Sequence, residues 1–127
     1  MPLPSGTWKA NVNGTECDLV IDAPDQQGGF RGQFAGVDVQ GFWDEVSQTI
    51  TFSVIIPGSG TPTPPIALFR GCLFRFPANP PPGRDVVAIL TGFVQMTIGG
   101  VPDWPFPEVG SSQRNIFGWM AQIPEIR

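Results

Sequence analysis

Along most of this chain apolar and polar residues alternate with a period of two, and the alternating runs are bounded by Gly, Pro, Asn or Asp. No window of about 11 residues carries a convincing apolar period of roughly 3.6, so the elements are strands and not helices. The pattern predicts strands over Gly6 to Asn13, Glu16 to Asp22, Gly29 to Val37, Val39 to Glu45, Gln48 to Ile56, Ile66 to Phe74, Asp85 to Met96 and Gln113 to Ile123. Asn13-Gly14 suits a primed hairpin turn because both residues tolerate positive φ. Asp25 to Gly29 and Glu45 to Ser47 read as further tight turns. Short connections make sequential strands neighbours, and closing the sheet on itself removes two exposed edges. The expected architecture is all-β, an eight-stranded antiparallel up-and-down barrel with room for side chains or one small ligand.

Three connections are long: Pro57 to Pro65, Phe76 to Arg84 and Thr97 to Ser112. If strand directions alternate, the first and third open at one end of the barrel and the second at the other. Proline in all three makes them stiff. Long loops gathered at one mouth are where binding usually resides. The aromatic-x-Gly rhythm of residues 29 to 34 and 68 to 74 marks barrel bends, where glycine lets the backbone coil beneath a bulky neighbour.

A length of 127 residues allows one core, and the whole chain reads as one domain. Only 14% of residues are charged, against 41% apolar, which points to side chains covered on both faces of some strands. A homodimer or homotetramer would provide that cover, through the strands near Ile50 to Ile56, Ile66 to Phe74 and Val86 to Met96. The net charge of −4, without a Lys/Arg cluster, argues against a nucleic-acid partner. No apolar run approaches the roughly 20 residues of a spanning helix, and Met1-Pro2-Leu3-Pro4 lacks signal-peptide character, so a soluble chain without a membrane partner is expected. Its compartment is left open. Cys17 and Cys72 form either one bridge or two buried thiols, and thiols are favoured.

The sequence contains no histidine, which removes the commonest general base, the commonest metal ligand and the Ser-His-Asp arrangement. The cysteines have neither an imidazole partner nor CxxC spacing. The carboxylate pairs Asp44-Glu45 and Asp22 with Asp25 fall at turns and read as solvated. The expectation is a non-enzyme with no metal and no cofactor. Ten Phe and four Trp with no Tyr place the aromatic surface in rings that offer no hydroxyl. An interior built from Phe30, Phe34, Phe52, Phe69 and Phe93 would be apolar.

With these strands in order, the chain resembles the avidin and streptavidin family over most of its length. Gly6-Thr7-Trp8 is similar to the family's opening Gly-x-Trp, followed by Asn13-Gly14 at the turn. Phe30-Arg31-Gly32-Gln33-Phe34 resembles its third-strand pattern, Thr51-Phe52-Ser53-Val54 the run before a ring-stacking tryptophan, and Leu68-Phe69-Arg70-Gly71 the sixth strand. Leu90-Thr91-Gly92-Phe93 resembles the seventh strand, Asp103-Trp104 the Asp-Trp before the last, and Asn115-Ile116-Phe117 the last strand itself. The resemblance implies a streptavidin-like barrel that binds a small molecule, biotin being one candidate. It implies that Asn115 meets the ureido ring, that Trp104 is lent to a neighbouring subunit, and that Phe69 and Phe93 form aromatic walls. Phe34 stands where the family has a tyrosine, Ala67 and Gly36 where it has hydroxyl residues, and Ile56 where it has a stacking tryptophan. Asn11 and Thr15 are the residues placed to restore polar contacts. These substitutions would weaken biotin binding, or fit the cavity to another compact apolar ligand. An alternative function is a protein-interaction barrel, such as a protease-inhibitor-like module, with a filled core and stiff proline loops for docking.

Overall fold

In a computed structural model, residues 2–55, 66–79, 81–83, 85–99 and 112–125 are described, without the side chains of 97–99, 112–115 and 125. Eight antiparallel strands close into one barrel in sequential order: β1 Gly6–Val12, β2 Thr15–Ile21, β3 Gly29–Phe34, β4 Val37–Asp44, β5 Thr49–Ile55, β6 Ile66–Phe76, β7 Val86–Gly99 and β8 Ser112–Glu125. The closing seam pairs β1 with β8, from Lys9 opposite Gln122 to Val12 opposite Trp119. All eight strands fall where alternation predicts them, and no helix occurs among the described residues.

The turns follow from local chemistry. Asn13 and Gly14 both take positive φ, 50° and 88°, the primed geometry whose twist matches the flanking strands. The β3–β4 connection is a two-residue turn at Ala35-Gly36, also with positive φ at both positions. Strands expected to run through Val37 and to turn near Asp38 therefore turn earlier. Phe34 pairs with Val37 across the ladder, both side chains pack on the core, and this register fixes the turn despite the strain of a left-handed alanine. The third long connection is shorter than its sequence suggests, because β7 and β8 stay paired out to Gly99 and Ser112.

Chain direction puts the turns at residues 13–14 and 35–36, and the strand ends at Ile55, Ile66, Gly99 and Ser112, at one end of the barrel. The β6–β7 connection lies at the other, beside the chain's first residues. That second end is closed. Trp8 is 0% exposed, its indole N–H donates to the Pro4 carbonyl at 3.1 Å, and Leu3 is buried with it. Trp43 is buried in the same region and donates to Glu45 Oε2 at 2.6 Å. Cys17 and Cys72 are free thiols, but the pair is not buried as expected: Cys17 is half-buried on the inner face of β2, and Cys72 is exposed because it alternates outward on β6 between buried Gly71 and Leu73. Burial, and then the charge of Asp18, push the Cys17 thiol pKa up.

Candidate functional site

Rings fill the middle of the barrel. Phe52 and Phe69 are register partners on β5 and β6, and their rings stack with centroids 4.6 Å apart and planes 5° from parallel. Trp119 on β8 meets both edge-on, at 5.7 Å and 5.4 Å. Its indole N–H is shared between the Arg70 and Phe93 carbonyls, each at 3.2 Å. Gly71 and Gly92 pair directly behind this ring. A Cβ on Gly71 would lie 2.8 Å from the Trp119 ring, and one on Gly92 would lie 2.0 Å from the Arg70 carbonyl oxygen. Only glycine permits β6 and β7 to approach so closely with an indole laid across them.

Above this floor, toward the end that carries the turns at residues 13–14 and 35–36, lies a cavity of about 190 Å³ lined among the described residues by Val12, Phe34, Ala35, Val37, Val54, Ala67, Phe69, Val94 and Met96. Every one of these side chains is apolar. Phe34 leans over the stack, with its ring centroid 4.9 Å from Phe69 and 6.2 Å from Phe52. Among the described residues no buried side-chain nitrogen or oxygen lacks a partner, and no group of acidic, Cys or His residues could hold a metal. Larger depressions lie on the outside of the barrel, such as the groove of about 650 Å³ bordered by Asp22, Arg31 and Gln40. They are more open to solvent than the interior cavity, and polar side chains border them.

Of the residues singled out from sequence, the cavity gathers Phe34, Ala67 and Phe69. Asn115 is the register partner of Met96, a cavity-lining residue, although its side chain lies outside the description. Ile56 and Trp104 lie outside the described residues altogether, as do the loops that hold them.

Three of the nominated residues stand elsewhere. Phe93 is 49% exposed and belongs to the outer face of β7, because Ala88, Leu90 and Val94 alternate inward. Its inner neighbour Val94 is the wall instead. Asn11 lies between inward-facing Ala10 and Val12, and its Oδ1 accepts the Gly14 amide at 3.0 Å, so it braces the turn and not the cavity. Thr15 is exposed at the start of β2, opposite Val12 at the rim, and is not among the lining residues.

Val12, Ala35, Val37, Val54, Val94 and Met96 also line the cavity and carry no motif that singles them out in the sequence. Counting by twos from Trp8 and Ala10 would have reached Val12, and from Leu90 would have reached Val94 and Met96.

These features define the class: an antiparallel streptavidin-like barrel with an apolar mouth cavity. The solved structures include a low-affinity phenylalanine-to-alanine mutant of shwanavidin, an avidin/streptavidin-family protein, which matches with a TM-score of 0.58 at 16% identity over 97% of this chain and 98% of that one. That likeness is one of fold. No family model matches the sequence, and no curated protein does either.

Proposed function

We propose that this chain is a small-molecule-binding barrel whose ligand occupies the cavity beside the 13–14 and 35–36 turns and rests on the Phe34–Phe69 wall. The observation that carries the reading is the cavity above the Phe52–Phe69–Trp119 floor, in a barrel of streptavidin-like fold. Support also comes from the shwanavidin structure, where replacing one phenylalanine defines a low-affinity form of that protein. Asn115 is the polar group proposed to meet the ureido ring of biotin, Ile56 is proposed to stand where a stacking tryptophan would, and Trp104 is proposed to be lent to a neighbouring subunit. Phe34 in place of a tyrosine and Ala67 in place of a hydroxyl residue leave a ureido oxygen short of donors. Each missing buried hydrogen bond costs roughly 1 to 3 kcal/mol, and every 1.4 kcal/mol is about tenfold in affinity. Biotin binding is therefore proposed to be weak. Calorimetric titration and thermal shift with biotin test this: heat and a raised midpoint at millimolar but not nanomolar biotin are expected. Absence of both at millimolar concentration would remove biotin as the ligand.

We further propose that the barrel self-associates as a dimer or tetramer through the outer face of β5 to β8, where Ile55, Leu68, Phe93, Ile116 and Met120 are exposed apolar side chains.

A further inference from the structure

We infer that the mouth cavity is specific for a neutral, compact, apolar molecule of about one ring, such as a monocyclic aromatic hydrocarbon, in preference to a polar bicyclic ureido compound with a charged tail. This inference rests on the binding role proposed above and narrows it to a ligand class.

The first ground is size. A cavity of about 190 Å³ is smaller than the roughly 300 Å³ at which drug-sized pockets begin. It is close to the roughly 150 Å³ of an apolar cavity in another protein that stays dry and takes up benzene or xenon. One ring fills it.

The second ground is chemistry. The described lining is Val, Ala, Phe and Met, with no side-chain hydroxyl, amide or charge. The backbone groups behind it are engaged in the ladders of β5, β6 and β7. A ureido group placed against this lining would give up its hydrogen bonds to water and gain none from these side chains, which is strongly unfavourable. A hydrocarbon loses nothing of that kind.

The third ground is shape. The Phe34 and Phe69 rings touch, tilted 49° with centroids 4.9 Å apart, and both line the cavity, so an entering ring has two aromatic neighbours. Tilted and offset aromatic contacts add to the area they bury. Val54 and Val94, from β5 and β7, close the sides, and Met96 offers an adaptable thioether at the rim.

The test uses the full chain with toluene, biotin and xenon as probes. Toluene at about ten times its dissociation constant is expected to raise the melting midpoint by roughly 4 to 8 °C, and biotin at equal concentration is expected to raise it less. Methyl NMR shifts at Val12, Val54, Val94 and Met96 locate the bound molecule. Ala67→Leu, which extends a side chain into the cavity, is expected to abolish the toluene effect. If that variant does not fold, Val54→Leu serves the same purpose, and xenon on the unaltered chain reads the same methyls without any substitution.

Biotin perturbing these methyls while toluene does not, or biotin giving the larger midpoint shift, overturns the apolar ligand class and leaves the binding role standing. A toluene shift that persists in the filled variant places the molecule elsewhere and overturns the inference. Silence from toluene, biotin and xenon alike overturns both.

Discussion

Trp8 is the largest of the fully buried side chains, and its place follows from its neighbours. Gly6 and Ala10 lie two positions to either side on the same strand face, and their small size leaves the indole room at the closed end. Its one polar atom is satisfied within the chain by Pro4, so burial carries no orphaned donor. Trp8→Ala should cost about 3 to 5 kcal/mol, as for other large aromatic truncations in cores. Urea denaturation measures it, and a loss under about 1 kcal/mol would be inconsistent with a closed-end plug. Phe93 teaches the opposite lesson at the same scale. It was nominated as a wall because an aromatic follows Gly92 in the resemblance, but an odd position on β7 faces out wherever the even ones pack inward. One residue of register separates a cavity wall from solvent.

At the scale of elements, turns decide how well each strand pair is held. The β4–β5 connection is organised by Asp44, whose Oδ1 accepts the Val46 amide at 3.0 Å and the Ser47 amide at 3.5 Å. The Ser47 side chain first, then the Val46 and Ser47 amides, hold the Asp44 carboxyl below its ordinary value of 3.8. A carboxyl lowered on folding stabilises the native state above its unfolded pKa, and that contribution is lost as pH falls through the folded one. Asp44→Asn keeps an acceptor for the turn but not the charge. The stability difference between the two proteins should therefore be present at neutral pH, shrink below about pH 4 and vanish in stronger acid. Denaturation midpoints measured across that range check it, and a difference independent of pH would contradict the charge-based account.

Across the whole molecule, the outer wall is uneven. On β1 to β3 the outer face carries Lys9, Asp18, Arg31 and Gln33, with Lys9 and Asp18 paired at 3.1 Å. On β6 to β8 it carries Leu68, Phe93, Ile116 and Met120, with Ile116 62% exposed. Apolar surface gathered on adjoining strands is the mark of an interaction face. A symmetric pair would bring Phe93 of one copy against the same region of the other. Light scattering at micromolar concentration should give a multiple of 13.7 kDa, and Phe93→Glu with Leu68→Glu should shift the population toward monomer. A monomer in the unaltered protein would refute self-association and leave the barrel intact.

The sequence by itself determined the eight strands, their antiparallel sequential order and the Asn13-Gly14 turn. Each depends on local alternation or on dihedral preferences that two or three neighbouring residues impose. It also determined that the interior is made of rings without hydroxyls, since composition alone excludes Tyr. The tertiary structure decided what local pattern leaves degenerate. Val86 to Leu90 is apolar at every position, so alternation could not say which face of β7 turns inward. Closure against β6 and β8, with Gly71 against the Trp119 indole and Gly92 against the Arg70 carbonyl, settled it. The turn at Ala35-Gly36 likewise goes against the preference of alanine, because Phe34 and Val37 both bury their side chains in the ladder they share. The cavity is the clearest case. Its lining comes from β1, β5, β6 and β7 together with the β3–β4 hairpin, and no segment of the chain contains enough of it to announce it.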